Sequence, residues 1–153
     1  MSLETSKEVI DLNRLIETSV ADLKFLAEEK KIKLILDLEP LFSIEGDQKL
    51  IQEVITNLIE NAIKYSFENS EVIIRTGENN QFVEVSIQDR GIGIGPDDLP
   101  RVKEKFFRSP HVLDQSQGTG LGLYLANYFV ELHKGRLLIE SELGKGTRVT
   151  FSL

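Results

Sequence analysis

The sequence has no cysteine, which excludes disulfides and thiolate metal sites. Its two histidines, His111 and His133, lie far apart, so a histidine-rich metal cluster does not fit. Magnesium held by amide or carboxylate oxygens stays open. No apolar run approaches the roughly 18 residues that a membrane-spanning helix requires, and no signal peptide is visible. Positive charge is in deficit: the formal charge is −7. That argues against a general nucleic-acid binder and against adhesion to an anionic membrane surface. There is no internal repeat and no low-complexity segment. What remains is 153 residues, 41% apolar and 28% charged, the composition of one globular domain with a substantial core. Met1-Ser2-Leu3 is compatible with an expression scar. Residues 1–8 are read as an N-terminal extension and 9–153 as the domain.

The chain is organised around Leu50–Ser66, which contains neither Gly nor Pro and reads as a helix. At about 100° per residue, Ile51, Val54, Ile55, Leu58 and Ala62 share one face. Glu53, Asn57, Glu60, Asn61 and Lys64 form a polar stripe opposite. A solvated face is the plain reading. Against it, Asn57 and Asn61 are one turn apart, so both amides point the same way, with Lys64 a turn further on. Two asparagines inside a helix are a local cost, commonly tolerated at functional sites. Two amide oxygens and an ammonium suit a hydrated cation and phosphate oxygens.

Around this helix the elements follow in order. Val9–Leu12 is a short apolar run that could be extended, and Asn13 is placed to cap a helix reaching about Lys31. Leu15, Ile16, Val20, Leu23 and Ala27 form its stripe. Ile32–Leu38 alternates as a half-buried strand, Phe42–Glu45 is a second short one, and Asp47 caps the central helix. Val72–Thr76 and Phe82–Gln88 predict a hairpin around Glu78-Asn79-Asn80. Pro96-Asp97-Asp98 could start a short helix, and Val102–Phe107 another helical turn. Ser109–Gly120 has little to bury and reads as a mobile loop. Leu121–His133 is amphipathic, with Leu121, Leu125, Phe129 and Leu132 on one face and Gly135 as its stop. Arg136–Ser141 and Thr147–Leu153 are strands. The expected fold is α+β in two layers: a mixed, mostly antiparallel sheet of about five strands with three main helices on one face.

Two glycine motifs remain. Taken alone, DRGIGIG at Asp89–Gly95 is best read as a glycine turn, because it departs from the dinucleotide fingerprint. No Walker-type GxxxxGK[ST] occurs. GTGLGL at Gly118–Leu123 opens a helix, so free N–H groups and the positive dipole end face the loop. It is either a phosphate cradle or a flexible hinge.

Together, NLIENAIKYS, DRGIGIG, EKFFR and GTGLGL, in this order and spacing, resemble the ATP-binding catalytic domain of sensor histidine kinases. That family belongs to the superfamily of gyrase, mismatch-repair and chaperone ATPases, with the Bergerat-type ATP-binding fold. VIDLNRLI, AEEKKIKLILDL, HKGRLLIES and GKGTRVTFSL extend the likeness from about Val9 to Leu153. The resemblance implies that Asn61 holds magnesium and that Asn57 lies close to phosphates and metal. It implies that Lys64 and Tyr65 contact phosphate and nucleoside, that Asp89 accepts a hydrogen bond from the adenine amino group, and that Gly91, Gly93 and Ile94 line the base pocket. By the same resemblance, Phe106 and Phe107 would anchor a lid, and Arg108 would contact phosphate. Gly118, Thr119, Gly120, Leu121 and Gly122 bring the helix N-terminus to the phosphates, and Thr147 lies near the adenine. Glu60 is read as a surface carboxylate, and neither His111 nor His133 as a phospho-acceptor.

The implied activity is transfer of the ATP γ-phosphoryl group to a histidine, with ATP and Mg2+ as cofactors. Asn57, Asn61, Lys64 and Arg108 would carry the catalytic contribution. The expected partners are a histidine-bearing helical dimerisation domain of the same full-length kinase and a response regulator receiver domain. The isolated domain is expected to be a monomer, cytoplasmic, with the full-length protein open to membrane anchoring. Two rivals remain: a clamp- or chaperone-type ATPase, which would want Glu at position 57, and a regulatory module that uses nucleotide only as a switch.

Overall fold

Apolar residues at helical spacing and alternating β-branched runs produce the elements of a computed structural model that describes residues 7–79, 81–105, 107 and 122–153. In chain order these are β1 (Glu8–Ile10), α1 (Leu12–Glu29), β2 (Lys33–Leu38), β3 (Ile44–Gly46), α2 (Gln48–Tyr65), β4 (Glu71–Asn79), β5 (Phe82–Gln88), a short 3-10 turn (Leu99–Arg101), α3 (Gly122–Leu132), β6 (Arg136–Glu142) and β7 (Gly146–Ser152). The main sheet has the order β2-β4-β5-β7-β6, and β1 and β3 form a small separate pair. Among the described residues only β2–β4 is parallel; its crossover carries α2, as parallel neighbours require. The expected two-layer α+β architecture is the observed one.

The core lies between the sheet and the helices. Val72, Ile74, Val83, Val85, Ile87, Leu137 and Phe151 are buried on the sheet side. Helix α2 packs against α1, α3 and the sheet, so it also buries Ile59 and Ile63, a wider face than one stripe. Asp47 caps α2 as expected, its Oδ1 accepting from Leu50 N at 3.1 Å.

Several local readings are corrected. Asp11, not Asn13, caps α1, accepting from Arg14 N at 3.3 Å. Asn13 instead ties α1 to the sheet: its Nδ2 donates to Glu39 O at 2.7 Å and its Oδ1 accepts from Thr76 Oγ1 at 3.0 Å. Strand β4 runs into the expected turn as far as Asn79, which pairs with Phe82. Over Val102–Phe107 no α-helical turn forms among the described residues: Glu104 N and Phe107 N donate three residues back, to Arg101 O and Glu104 O, and of the described residues there only Val102 is buried. The buried centre of α3 is Ala126, Phe129 and Val130, with Leu125 and Leu132 at its margin.

At the end of α3 the left-handed residue is Lys134 (φ 60°), while Gly135 N donates to Val130 O. Gly135 is there for proximity: a Cβ would lie 2.3 Å from Ser152 O.

Candidate functional site

Strand β5 ends at Gln88, and the next residue, Asp89, turns inward. Its backbone N–H donates to Thr147 O at 2.9 Å, and its Oδ1 accepts from Thr147 N at 3.2 Å. The side chain is 8% exposed. Burial pushes this carboxyl up to about 6, although N–H groups of Thr147 and Gly91 and the Lys30 ammonium oppose the shift. Burial in turn lowers Lys30, against the attraction of Asp89 and Glu68. Lys30 Nζ donates to Ile63 O at 3.1 Å and to Lys64 O, which satisfies carbonyls at the C-terminal end of α2. The sequence reading missed Lys30, which looks like an ordinary surface lysine after α1.

The glycines after Asp89 are set by close approach. Gly91 bridges Ser66, and a Cβ there would sit 1.9 Å from Tyr65 O. Gly93 has φ +70°, and its Cβ would sit 2.1 Å from Glu142 O. DRGIGIG is therefore more than a turn: it lies between the end of α2 and the β6–β7 connection. Ile92 N donates to Tyr65 O at 3.1 Å, and Ile94 N donates to Ser141 Oγ at 2.8 Å. Ser141 Oγ also lies 2.9 Å from Gly146 O and 2.7 Å from Thr147 Oγ1. Asp89, Gly91, Gly93, Ile94 and Thr147 are thus brought together.

Asn57 and Asn61 are half-buried on α2 and make no side-chain hydrogen bond among the described residues. A Cβ on Gly122 would lie 3.6 Å from Asn61 Nδ2, so α3 starts against that amide. Lys64 is paired with Glu60 at 3.3 Å, so any phosphate contact by Lys64 must share its charge with that carboxylate. Tyr65 is half-buried. It joins Leu26, Glu29, Lys30, Ile63, Lys64 and Glu68 around a cavity of about 340 Å³ between the C-terminal ends of α1 and α2. Phe107 is half-buried, with the Arg101 guanidinium 4.7 Å from its ring centroid.

Phe106, Arg108, His111, the Ser109–Gly120 loop, and Gly118, Thr119, Gly120 and Leu121 lie outside the described residues. His133 is engaged structurally. Its Nε2 accepts from Asp47 N at 2.9 Å, and its Nδ1 meets Phe129 O at 2.8 Å.

No group of three or more His, Cys, Asp or Glu side chains among the described residues could hold a metal. The amide oxygens of Asn57 and Asn61, half-buried and without other bonds there, are neutral hard donors of the kind a partly hydrated magnesium ion accepts.

Residues 46–153 match the family described as histidine kinase-, DNA gyrase B-, and HSP90-like ATPases. The chain is 32% identical over 147 residues to the sensor-like histidine kinase SenX3 of Mycolicibacterium smegmatis, covering 95% of this chain and 38% of that protein. It spans between 25% and 38% of the length of this relative and of the histidine protein kinase DivJ of Caulobacter vibrioides. Among solved structures it is similar to the mycobacterial sensor histidine kinase MprB, with TM-score 0.84, 25% identity and 97% of both chains covered. It is also similar to full-length ShkA in complex with AMPPNP, with TM-score 0.86 and 26% identity over 99% of this chain and 32% of that one. Sequence match, sheet order and the arrangement around Asp89 agree: the chain belongs to the histidine kinase-, DNA gyrase B- and HSP90-like ATPase family.

Proposed function

We propose that this chain is the ATP-binding catalytic unit of a sensor histidine kinase, and that residues 9–153 form that unit. The observation that carries the reading is the buried Asp89 carboxylate, held by Thr147 beside the end of the helix that bears Asn57 and Asn61. Ionised, Asp89 accepts from the adenine amino group; guanine has a carbonyl at that position. Gly91, Gly93 and Ile94 wall the base. Tyr65 and Phe107 flank the nucleoside and the lid, and Thr147 stands beside Asp89.

Asn61, with Asn57 one turn earlier, would hold magnesium, which when bound neutralises charge on the phosphates. Lys64 and Arg108 contact phosphate. Gly118, Thr119, Gly120, Leu121 and Gly122 bring the α3 N-terminus toward it. A histidine nitrogen on a separate helical dimerisation domain attacks the γ-phosphorus, the bond to the bridging oxygen breaks, and ADP leaves. The protein's contribution is positioning and charge neutralisation. A response regulator receiver domain would then take the phosphoryl group. ATP dependence assigns the unit to the cytoplasm, whether or not the full-length protein is membrane-anchored. No helix among the described residues is long and apolar enough to cross a membrane. A hydrolase reading is disfavoured by Asn57, which cannot act as a base toward water.

The test is labelled ATP with the chain alone and with a histidine-bearing helical hairpin added. Acid-labile label should appear only on the hairpin. Rapid hydrolysis by the chain alone, or label on His111 or His133, would refute the assignment.

A further inference from the structure

We infer that Ser141 is a specificity-determining positioning residue: its hydroxyl orders the Thr147 hydroxyl so that Thr147 and Asp89 offer only acceptors to the nucleobase. The inference deepens the adenine reading above and rests on it.

A serine hydroxyl has one hydrogen and two lone pairs. Ile94 N–H, 2.8 Å away, occupies one lone pair of Ser141 Oγ. Gly146 O, 2.9 Å away, is a carbonyl and can only accept, so Ser141 spends its hydrogen there. One lone pair remains, and Thr147 Oγ1 lies 2.7 Å away. All three contacts hold at once only if Thr147 donates to Ser141. The Thr147 hydrogen is then committed, and among the described residues no donor takes either Thr147 lone pair. The same residue's N–H is committed to Asp89 Oδ1 at 3.2 Å. Two acceptors side by side suit an exocyclic amino group, which carries two hydrogens, and repel a carbonyl oxygen. If Ser141 Oγ is removed, Thr147 can turn its hydrogen outward and tolerate the carbonyl.

The neighbourhood keeps this arrangement stiff. Ser141 and Thr147 are register partners in the β6–β7 ladder. A Cβ on Gly146 would sit 2.2 Å from Asp89 O, so the strand end lies close against the residue it orients.

Calorimetric titration of the whole chain with Mg-ATP and with Mg-GTP tests the inference. Ser141→Ala should lower the ATP-over-GTP preference about five-fold, the worth of one neutral hydrogen bond. Ser141→Thr, which keeps the hydroxyl, should retain the preference. Thr147→Val should lower it by itself, and Ser141→Ala should then add nothing, because it acts through Thr147. Should the alanine variant fail to fold, Ser141→Cys, a weak donor of similar shape, takes its place with the same expected loss. An unchanged ratio in Ser141→Ala, loss of preference in Ser141→Thr, or an undiminished serine effect in the Thr147→Val background would overturn the inference and leave the adenine pocket standing. No preference for ATP in the unmutated chain would overturn both.

Discussion

Raising the pH on the nucleotide-free domain charges a carboxylate that has lost most of its water, and the domain should become less stable as a result. Asp89 titrates at about 6 in the folded state against an ordinary 3.8. The folded state therefore holds the proton more tightly than the unfolded one. Stability from this group is greatest below about pH 4, falls as pH rises toward 6, and is lost above that. A shift of about two units corresponds to about 3 kcal/mol. Solvent screens little of it, because the side chain is 8% exposed. Asp89→Asn removes the charge while its amide oxygen can still accept from Thr147 N. Its NH2 group faces the Gly91 N–H, which takes back part of the gain. At about pH 7.5 the variant should be more stable than the parent by about 1–2 kcal/mol, and near pH 4.5 by none. The assay is urea unfolding of both proteins across this range without nucleotide. Parallel stability profiles would refute the claim that Asp89 is ionised at a cost. On the proposed adenine reading the same substitution should also weaken the preference for ATP over GTP, which would mean that the charge serves recognition at the expense of stability.

The other predictions concern packing and the neighbours of the site. Leu58→Ala should cost about 2–5 kcal/mol because it opens a core cavity, whereas Asn61→Ala, half-buried and without a side-chain hydrogen bond among the described residues, should cost about 1 kcal/mol or less while losing magnesium-dependent nucleotide affinity; equal drops in melting temperature would make Asn61 structural. Gly91→Ala forces a Cβ to within 1.9 Å of Tyr65 O and should cost about 2–4 kcal/mol in chemical unfolding. Gly144→Ala, with φ +82° but nothing within 4 Å, should cost only about 1–2 kcal/mol; the reverse ranking would contradict the geometry. Lys30→Met removes the ammonium that favours Asp89 ionisation, so a carboxyl NMR titration should place the Asp89 midpoint still higher, and an unmoved midpoint would show that the two groups do not interact.

What the sequence revealed depended on whether a residue's role was local. Asp47 was legible as a cap because the signal sits within one turn of the helix it starts. Asp11 was not, because the apolar run Val9–Leu12 crosses the boundary between β1 and α1, and Asn13 made a better-looking cap while serving a long-range tie to Thr76. Gly135 reads as the stop of α3 and does lie just beyond its end, but the left-handed residue there is Lys134, and the closeness of Gly135 to Ser152 leaves no trace near position 135. Of the candidate site, the α2 asparagines stand out through their spacing, and Asp89 only through the resemblance that the four motifs carry together. Ser141 and Lys30 do not. A serine in an alternating strand and a lysine after a helix are the commonest of surface residues, and only tertiary contacts with Ile94, Thr147, Ile63 and Lys64 distinguish them.

The order of strands in the sheet has a consequence for how the site comes into being. Asp89 meets Thr147 across 58 residues of chain, because β5 pairs on one side with β4 and on the other with β7. Such a non-local pairing is slow to nucleate, and during synthesis the N-terminal elements emerge first. Until β7 docks, one edge of β5 is open, presenting an alternating Val83, Val85 and Ile87 strand to any other unpaired strand nearby. The carboxylate of Asp89 stays hydrated through that interval and is dehydrated only when the sheet closes. A chain that stops before β7 therefore lacks the Asp89–Thr147 contact and keeps an adhesive edge, whereas the closing strand removes the aggregation hazard and completes the proposed base pocket in one step.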